Sequence, residues 1–246
     1  MGSRKTPRRV LVIDVGGNHV KVRVMRRGPA FKFASGAGLT PEQMVSCLRE
    51  KLSSSDYDAV SIGYPGVVTG GKISAEPHNL GSGWIGYNFA RALGKPVRMI
   101  NDAAMQAAGS YLGGRMLFLG LGTGLGATLI LDGVIAPLEI GHLPYKDGLT
   151  FEDHVGERAR LRMGSKKWRK LVHEAVADLR AALGAEYVVV GGGNVKRLHE
   201  VPNEAFRGDN ENAFVGGVLI WGGPDPLRLA PLRRMPRPGA RRAHAA

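Results

Sequence analysis

Residues 97–126 decide the fold, and they read VRMIND (97–102), AAMQAAGSYL (103–112), GGR (113–115), MLFLGL (116–121) and GTGLG (122–126). A short apolar strand is predicted to end at an amide and a carboxylate, and a helix follows it. The next strand ends in a glycine-rich turn, whose backbone N–H groups are able to approach phosphate oxygens closely. A carboxylate at a strand end is suited to take a proton from a hydroxyl group. The stretch therefore predicts phosphoryl transfer to a hydroxyl.

A related pattern opens the chain. The run VLVIDV (10–15) predicts a buried strand, GGN (16–18) a turn, and the alternation from Val20 to Val24 a half-buried strand. Each half of the chain later has a helix and an apolar strand that ends in glycine. This duplication predicts two α/β lobes, residues 10–100 and 101–221, with a cleft between them where strand ends and glycine turns meet.

Helices are predicted where a capping residue precedes an apolar period of three to four. Thr40, which is followed by Pro-Glu-Gln, starts one predicted helix. Thr150 caps a second helix that runs to about Leu161. Ser165 caps a longer, amphipathic helix that Gly184 closes.

Composition bounds the class of protein. The chain has 246 residues, 43% of them hydrophobic, which is enough for one large or two small domains. No apolar run approaches the ~20 residues of a membrane span, and the N-terminus lacks a signal-peptide core, so we expect a cytoplasmic location and no membrane partner. The single Cys47 excludes an internal disulfide framework and a cysteine-based zinc cluster.

The net charge of +13 is concentrated at the two ends of the chain. Residues 1–9 contain four cationic side chains, and residues 222–246 contain six arginines and one aspartate. Both ends are predicted to be disordered tails. Two interpretations stay open: the charge keeps the protein soluble, or it contacts a polyanion such as nucleic acid or polyphosphate.

Six motifs, in order, resemble those of the ROK family of bacterial sugar kinases, and within it the glucokinases that use ATP or polyphosphate. They are DVGGNHVK (14–21), GYPG (63–66), NDA (101–103), GTGLG (122–126), EIGH (139–142) and GGG (191–193). The resemblance covers about residues 10–220. It implies an actin-like (ribonuclease H-like), duplicated two-lobe α/β fold of the hexokinase type with an interlobe cleft.

The resemblance also implies roles for single residues. Asp102 would be the general base that accepts the proton of the sugar's 6-hydroxyl. The implied sugar-binding residues are Asn79, Asn101, Asp102, Glu139, His142 and Glu152. The implied phosphate- or nucleotide-binding residues are Asp14, Gly16, Gly17, Asn18, Lys21, Gly122, Thr123, Gly124, Gly191, Gly192 and Gly193. Asp14 would also hold Mg²⁺ through water.

Two departures from the family pattern refine the expectation. The cysteine-rich zinc loop that follows E-x-G-H in typical members is collapsed here, so no structural zinc is expected, and this short form favours the polyphosphate/ATP glucokinases. Asn18 replaces the usual Thr, which puts donor affinity in doubt. The implied activity is phosphorylation of glucose by ATP or polyphosphate with Mg²⁺, in a homodimer.

Other functions stay open. The hexose could be mannose, glucosamine or N-acetylmannosamine, or the protein could be a sugar-binding regulator without turnover. Related repressors carry an N-terminal helix-turn-helix, for which the predicted first strand at Val10 leaves no room, so nucleic acid is not the expected partner.

Each motif also has a purely structural interpretation. Asp102 could be a helix N-cap, and Glu152 a first-turn glutamate favoured by the helix dipole. The glycine runs could be ordinary turns, and His142 a structural histidine.

Overall fold

The computed structural model describes residues 7–231. They form two compact units, which are described separately. The first unit contains the residues up to Gly109 together with Asn210–Leu229, and the second contains Ser110–Asp209 and continues from Ala230. In the described part of the chain, no helix is both long and apolar enough to cross a bilayer.

Strands and helices alternate along the chain. The strands are β1 (Val10–Val15), β2 (His19–Val24), β3 (Phe31–Ala34), β4 (Ala59–Tyr64), β5 (Val68–Thr69), β6 (Lys72–Ile73), β7 (Val97–Asn101), β8 (Arg115–Leu121), β9 (Leu125–Leu131), β10 (Val134–Leu138), β11 (Tyr187–Gly191) and β12 (Ala205–Arg207). The helices are α1 (Pro41–Lys51), α2 (Phe89–Leu93), α3 (Asp102–Ser110), α4 (Phe151–Val155), α5 (Glu157–Met163), α6 (Ser165–Ala182) and α7 (Asn212–Leu219).

The two units contain sheets of the same topology. The first sheet has the order β3-β2-β1-β4-β7, and the second has the order β10-β9-β8-β11-β12. In each, a central strand pairs antiparallel with the following hairpin strand on one side and parallel with a later strand on the other. The duplication predicted from the repeated strand–turn–strand pattern is therefore present in the backbone.

The predicted boundary at residue 100 differs from the division of the described structure. Helix α3 lies in the first unit, and α7 returns to that unit from the far end of the sequence. The reason is close packing at glycines. A Cβ on Gly109 would overlap the carbonyl oxygen of Asn212, and a Cβ on Gly216 would overlap that of Met105. A Cβ on Gly217 would likewise overlap the side chain of Val12, so α7 lies against both α3 and β1.

The second unit is built around α6. Its apolar stripe buries Trp168, Val172, Ala175, Val176 and Leu179. The Trp168 indole N–H donates to the carbonyl of Val155 at 2.8 Å, so the one polar group of this buried ring has a hydrogen-bond partner. Truncating a buried tryptophan of this kind costs about 3–5 kcal/mol.

Two helix predictions in the second unit need correction. The helix expected from Thr150 to Leu161 is broken at Gly156, because the Glu157 N–H donates to the carbonyl of Thr123 (3.2 Å). The predicted cap Ser165 is the first helical residue of α6, and Gly164, at φ 80°, is its N-cap.

The predicted disordered tails are also partly wrong. Arg9 forms an ion pair with Asp58 at 2.7 Å. The Arg98 guanidinium donates to the carbonyls of Ile220 and Pro224 and lies 4.5 Å from the Trp221 ring, which anchors the chain after α7. The rest of both tails, residues 1–6 and 232–246, lies outside the described residues.

The α3–α7 contact gives the first prediction. Gly216→Ala should destabilise the protein by about 1–3 kcal/mol, since the added methyl group overlaps the α3 backbone and neither helix can move without disturbing β1. Gly38→Ala is the control, because a Cβ there meets nothing within 4 Å. Urea unfolding measures both variants. An equal midpoint for Gly216→Ala and the wild type would contradict the packing argument.

Candidate active site

Asp14 and Lys21 form an ion pair across the first hairpin. They are register partners on β1 and β2, and the Lys21 Nζ lies 3.1 Å from the Asp14 carboxylate. The Asp14 carboxyl group is buried, with only 3% of its surface exposed. Burial raises its pKa above the ordinary value, and the Lys21 ammonium acts in the opposite direction. Lys21 is therefore the counter-charge of a desolvated carboxylate.

Asp102 lies at the junction of β7 and α3. Its Oδ1 accepts a hydrogen bond from the Ala103 N–H at 2.8 Å. Removal from water, reinforced by the charge of Asp14, raises the pKa of Asp102 to about 7. A carboxyl group with this pKa exchanges its proton near neutrality, as a general base requires.

Gly63 explains how α3 begins so close to the strand that carries Asp14. On β4, Gly63 is the register partner of Asp14 on one side and of Ile100 on the other. A Cβ at Gly63 would lie 3.3 Å from the Asp102 Cα and 2.5 Å from the Met105 Cε. The missing side chain therefore leaves the room in which α3 starts.

Asn101 caps helix α3, a role for which the sequence pattern had offered Asp102. Its Oδ1 accepts from the Ala104 N–H at 3.1 Å, and its Nδ2 donates to the Gly66 carbonyl at 3.2 Å. Asn101, and not Asp102, is therefore the N-cap of α3, because its side chain accepts from the N–H of the third helical residue. It also ties the GYPG segment to the residue that precedes Asp102.

The first glycine turn, residues 16–18, is fixed by hydrogen bonds with His19 and Ser35. The Gly16 N–H donates to the His19 carbonyl at 3.1 Å, and the Ser35 hydroxyl donates to the Gly16 carbonyl at 2.6 Å. The Ser35 N–H donates to the Asn18 carbonyl at 3.1 Å. The Asn18 side chain stays exposed. Sequence reasoning missed Ser35, because nothing in its local pattern distinguishes it from any other loop serine.

Asn79 is exposed on a loop that is anchored at two points. The Glu76 carboxylate accepts from the N–H groups of Trp84 (3.1 Å) and Ile85 (3.1 Å). The Tyr64 hydroxyl, at the end of β4, donates to the Ala75 carbonyl at 2.9 Å. Because Tyr64 is the register partner of Asn101, the loop begins beside the strand ends that carry Asn101 and Asp102.

In the second unit, the turn of residues 122–124 is fixed by the third glycine run. The Asn194 side chain donates to the Gly122 carbonyl at 3.0 Å, and the Asn194 N–H donates to the Leu121 carbonyl at 2.9 Å. Gly192, at φ 84°, lies so close to Leu121 that a Cβ would approach the Leu121 backbone within 2.5 Å. The structure thus brings the 122–124 turn and the 191–193 run together.

Glu152 holds the opposite side of the same turn. Its Oε2 accepts from the Leu125 N–H at 3.2 Å. A Cβ on Gly124 would overlap the Glu152 carboxylate, and one on Gly141 would lie 2.8 Å from the Leu125 carbonyl. Among the described residues, the Thr123 and Gly124 N–H groups have no hydrogen-bond acceptor. These two donors are the part of the turn that a phosphate oxygen could use.

Glu139 precedes the short 3₁₀ helix of residues 140–142 and His142 is its last residue, and both side chains are exposed. The buried residues of this helix, Ile140 and Gly141, pack toward the core and the 122–126 turn. Glu139, His142 and Glu152 are thus connected to the glycine turn through Gly141, within the second unit.

Residues 143–154, which follow the EIGH segment, form a clasp that side-chain contacts hold in place. The Tyr145 ring stacks on Phe151 with centroids 4.1 Å apart, and its hydroxyl donates to Asp178 at 2.8 Å. Lys146 pairs with Glu174 at 2.6 Å, which ties the segment to α6. The His154 Nε2–H donates to the Lys146 carbonyl at 3.0 Å. No sequence motif indicated the contacts with Asp178 and Glu174, since these partners lie more than 25 residues away along the chain.

For a metal ion, the chain offers little beyond Asp14. Among residues 7–231, no group of three or more His, Cys, Asp or Glu side chains is arranged to hold one. A Mg²⁺ ion that is bound to phosphates needs only one or two protein carboxylates. The buried carboxylate of Asp14, which the Lys21 ammonium contacts, fits that limited role.

Solved structures identify the fold. The chain is similar to the inorganic polyphosphate/ATP-glucomannokinase of Arthrobacter sp. strain KM, with a TM-score of 0.73, 24% identity, and coverage of 87% of this chain and 98% of that one. It is also similar to a ROK family glucokinase of Streptomyces griseus, with a TM-score of 0.66, 19% identity, and coverage of 85% and 98%. The fold is the actin-like, hexokinase-type fold of the ROK sugar kinases. The expectation from the sequence motifs is confirmed on this point.

Sequence relatives agree with the structural ones. The chain is 27% identical over 203 residues to the polyphosphate glucokinase of Mycobacterium leprae, covering 74% of this chain and 62% of that protein. It is 26% identical over 210 residues to the polyphosphate glucokinase of Mycobacterium tuberculosis, covering 76% and 78%. No family model matches the chain. The resemblance is therefore to ROK sugar kinases and, among them, to the polyphosphate glucokinases.

The electrostatics of Asp102 give a stability prediction. Its pKa of about 7 in the folded protein lies above the ordinary aspartate value of 3.8. The folded state therefore binds this proton more tightly than the unfolded chain does, so this group's contribution to stability falls as pH rises between those two values. Asp102→Asn should raise the melting temperature by about 2–4 °C at pH 8, where the wild-type carboxylate is charged.

At pH 5 the difference should shrink, because the wild-type group is then protonated and neutral. Differential scanning calorimetry at both pH values measures it. A difference of the same size at the two pH values would show that the charge of Asp102 is not the cause.

Proposed function

We propose that this protein is a hexokinase-type phosphotransferase, which moves a phosphoryl group from inorganic polyphosphate or ATP to the 6-hydroxyl of glucose. The observation that supports this most strongly is the state of Asp102. It lies at a strand–helix junction with a pKa of about 7, and desolvation and the charge of Asp14 are the causes. A structural helix cap needs no such pKa, and in this chain Asn101 does the capping.

The chemistry follows from that carboxylate. Asp102 accepts the proton of the 6-hydroxyl as the oxygen attacks the terminal phosphorus of the donor, and the bond from that phosphorus to the bridging oxygen breaks, so that ADP or the shortened polyphosphate leaves. The carboxyl group then releases its proton to water when the products depart. A positioned base of this kind contributes about 10²–10⁴-fold in rate. Since its pKa is close to neutrality, the base is largely deprotonated just above pH 7 and regains its proton readily below it.

Asn101 is a positioning residue in this scheme. Its amide is occupied by the Ala104 N–H and the Gly66 carbonyl, so it fixes the backbone that carries Asp102. The exposed side chains of Asn79, Glu139 and His142 are available to hydrogen-bond sugar hydroxyls. The Glu152 carboxylate accepts a hydrogen bond from the Leu125 N–H, so it fixes the conformation of the glycine turn.

The phosphate donor is assigned to the glycine turns. The Thr123 and Gly124 N–H groups are two donors that the described residues leave without an acceptor. The first turn, residues 16–18, and the run 191–193 supply further backbone close to strand ends. Bound with the donor at Asp14, Mg²⁺ would supply charge neutralisation for the transferred phosphoryl group.

The proposed activity includes two phosphate donors, polyphosphate and ATP, and two hexoses, glucose and mannose. The similar Mycobacterium proteins are polyphosphate glucokinases, and the similar Arthrobacter protein is a polyphosphate/ATP-glucomannokinase. Mannose is therefore the alternative hexose within the same reaction.

A coupled assay for hexose 6-phosphate tests the activity, with glucose or mannose, Mg²⁺, and either ATP or polyphosphate. We expect turnover by the wild type with at least one donor. Asp102→Asn should lower kcat by at least about 10²-fold while glucose binding, measured by calorimetry, persists. The matched control is Asp132→Asn, the same change in an exposed turn, where Asn before glycine is tolerated. Absence of product from the wild type with every combination would refute the proposal.

The Lys21 ammonium gives a pH prediction. Its charge lowers the pKa of both Asp14 and Asp102. We expect the acidic limb of the wild-type kcat/KM profile near pH 7, and Lys21→Met should move it to higher pH. Lys72→Met, an exposed cation on another strand, should leave the limb in place. If the limb of Lys21→Met coincides with that of the wild type, Lys21 does not tune the base.

A further inference from the structure

A groove on the second unit lies between α6 and the loop that follows β11. It has a volume of about 310 Å³ and is lined by Arg169, Lys170, His173, His199 and Glu200. Two contacts join its walls: the Arg169 guanidinium donates to His199 Nε2 at 3.2 Å, and the His173 Nε2–H donates to the Glu200 carbonyl at 3.3 Å. We call these five residues the basic groove.

The charge around the basic groove is strongly positive and largely uncompensated. The first turns of α6 contain no acidic residue but four cations, and the facing loop adds two more: Lys166, Lys167, Arg169, Lys170, Lys196 and Arg197. Within residues 7–231, Lys166, Lys167, Arg169 and Lys196 have no carboxylate at ion-pair distance.

The acidic groups nearby do not cancel this charge. Lys170 is 4.0 Å from Glu174, whose other oxygen pairs with Lys146 at 2.6 Å. Glu200 is exposed and is the one carboxylate among the five lining residues. The positive N-terminal end of α6 adds to the potential. The groove therefore favours an anionic ligand.

The basic groove is continuous in the chain with a proposed phosphate turn. Its loop begins at Asn194, which is bonded to the turn at Gly122, and runs to His199. The Arg207 guanidinium donates to the carbonyls of Val195 and Leu198, both at 2.8 Å, so the loop is fixed. Five residues of chain span at most about 18 Å, which is an upper bound on the separation of His199 from Asn194.

We propose that the basic groove binds inorganic polyphosphate, as a subsite for the part of the polymer beyond the phosphates held at the glycine turns. This inference rests on the proposed function and deepens it, because it names the donor that the groove would favour. A linear polyphosphate carries negative charge along its whole length, whereas ATP ends in an uncharged nucleoside. Nucleic acid fits less well, since no Phe, Tyr or Trp is among the five lining residues for base stacking.

The test compares two double variants that remove equal charge. Arg169→Gln/Lys170→Gln removes two groove cations, and Lys51→Gln/Lys72→Gln removes two exposed cations from the first unit. Binding of fluorescently labelled long-chain polyphosphate is measured by anisotropy on the full-length protein, without hexose. We expect the groove variant to bind about fivefold or more weakly than the wild type, with a shallower salt dependence, and the control to bind like the wild type.

The charge-conserving variant Arg169→Lys/Lys170→Arg should restore binding, which separates charge from folding. Equal binding by the groove variant and the wild type, or equal losses in groove and control variants, would overturn the proposal. Competition by single-stranded DNA as effective as that by polyphosphate, at equal phosphate concentration, would overturn it in favour of nucleic acid.

A kinetic arm keeps this result separate from the proposed activity. In an active wild type, the ratio of kcat/KM with polyphosphate to kcat/KM with ATP should fall about fivefold in the groove variant. If the wild type has no kinase activity, the proposed function fails, while the anisotropy measurement still decides whether the groove binds polyphosphate.

Discussion

The first unit depends on the desolvation of two carboxylates that lie on either side of a glycine. Asp14 and Asp102 belong to elements that flank β4, and Gly63 is the β4 residue between them. Burial raises the free-energy cost of ionising each of them, and the charge of Asp14 adds to that cost at Asp102. One cation, Lys21, opposes that cost at Asp14. Asp102, whose pKa is about 7, is thereby suited to exchange a proton near neutrality.

The second unit repeats the sheet but uses its glycines differently. In the first unit a glycine makes room for acidic side chains, whereas in the second Gly124 makes room for a glutamate that grips the turn itself. Asn194 grips the other side. The turn therefore has fixed walls and two N–H groups without acceptors, which is the preorganisation that anion binding by backbone requires. On the function proposed here, the first unit supplies the general base, and glycine turns of both units contribute to phosphate binding.

The sequence predicted what depends on local pattern. Strand β1 and helix α1, with its Thr40 capping box, have the predicted positions because buried runs and caps are encoded within a few residues. The break at Gly156 was not predictable, since its cause is the distant carbonyl of Thr123. The return of α7 to the first unit was missed for the same reason: Gly109 and Gly216 are more than 100 residues apart, and single-sequence periodicity carries no information about such a pairing.

The candidate site was predictable to a similar extent. The family motifs named the candidate residues, and the sugar contacts implied for Asn101 and Glu152 stay predictions; the structure adds that both side chains hold neighbouring backbone. The clasp shows why such contacts matter. Stacking of Tyr145 on Phe151 orders the segment after EIGH, and the Lys146–Glu174 pair connects that segment to α6. Since α6 also forms one wall of the basic groove, the segment after EIGH and the groove share one support.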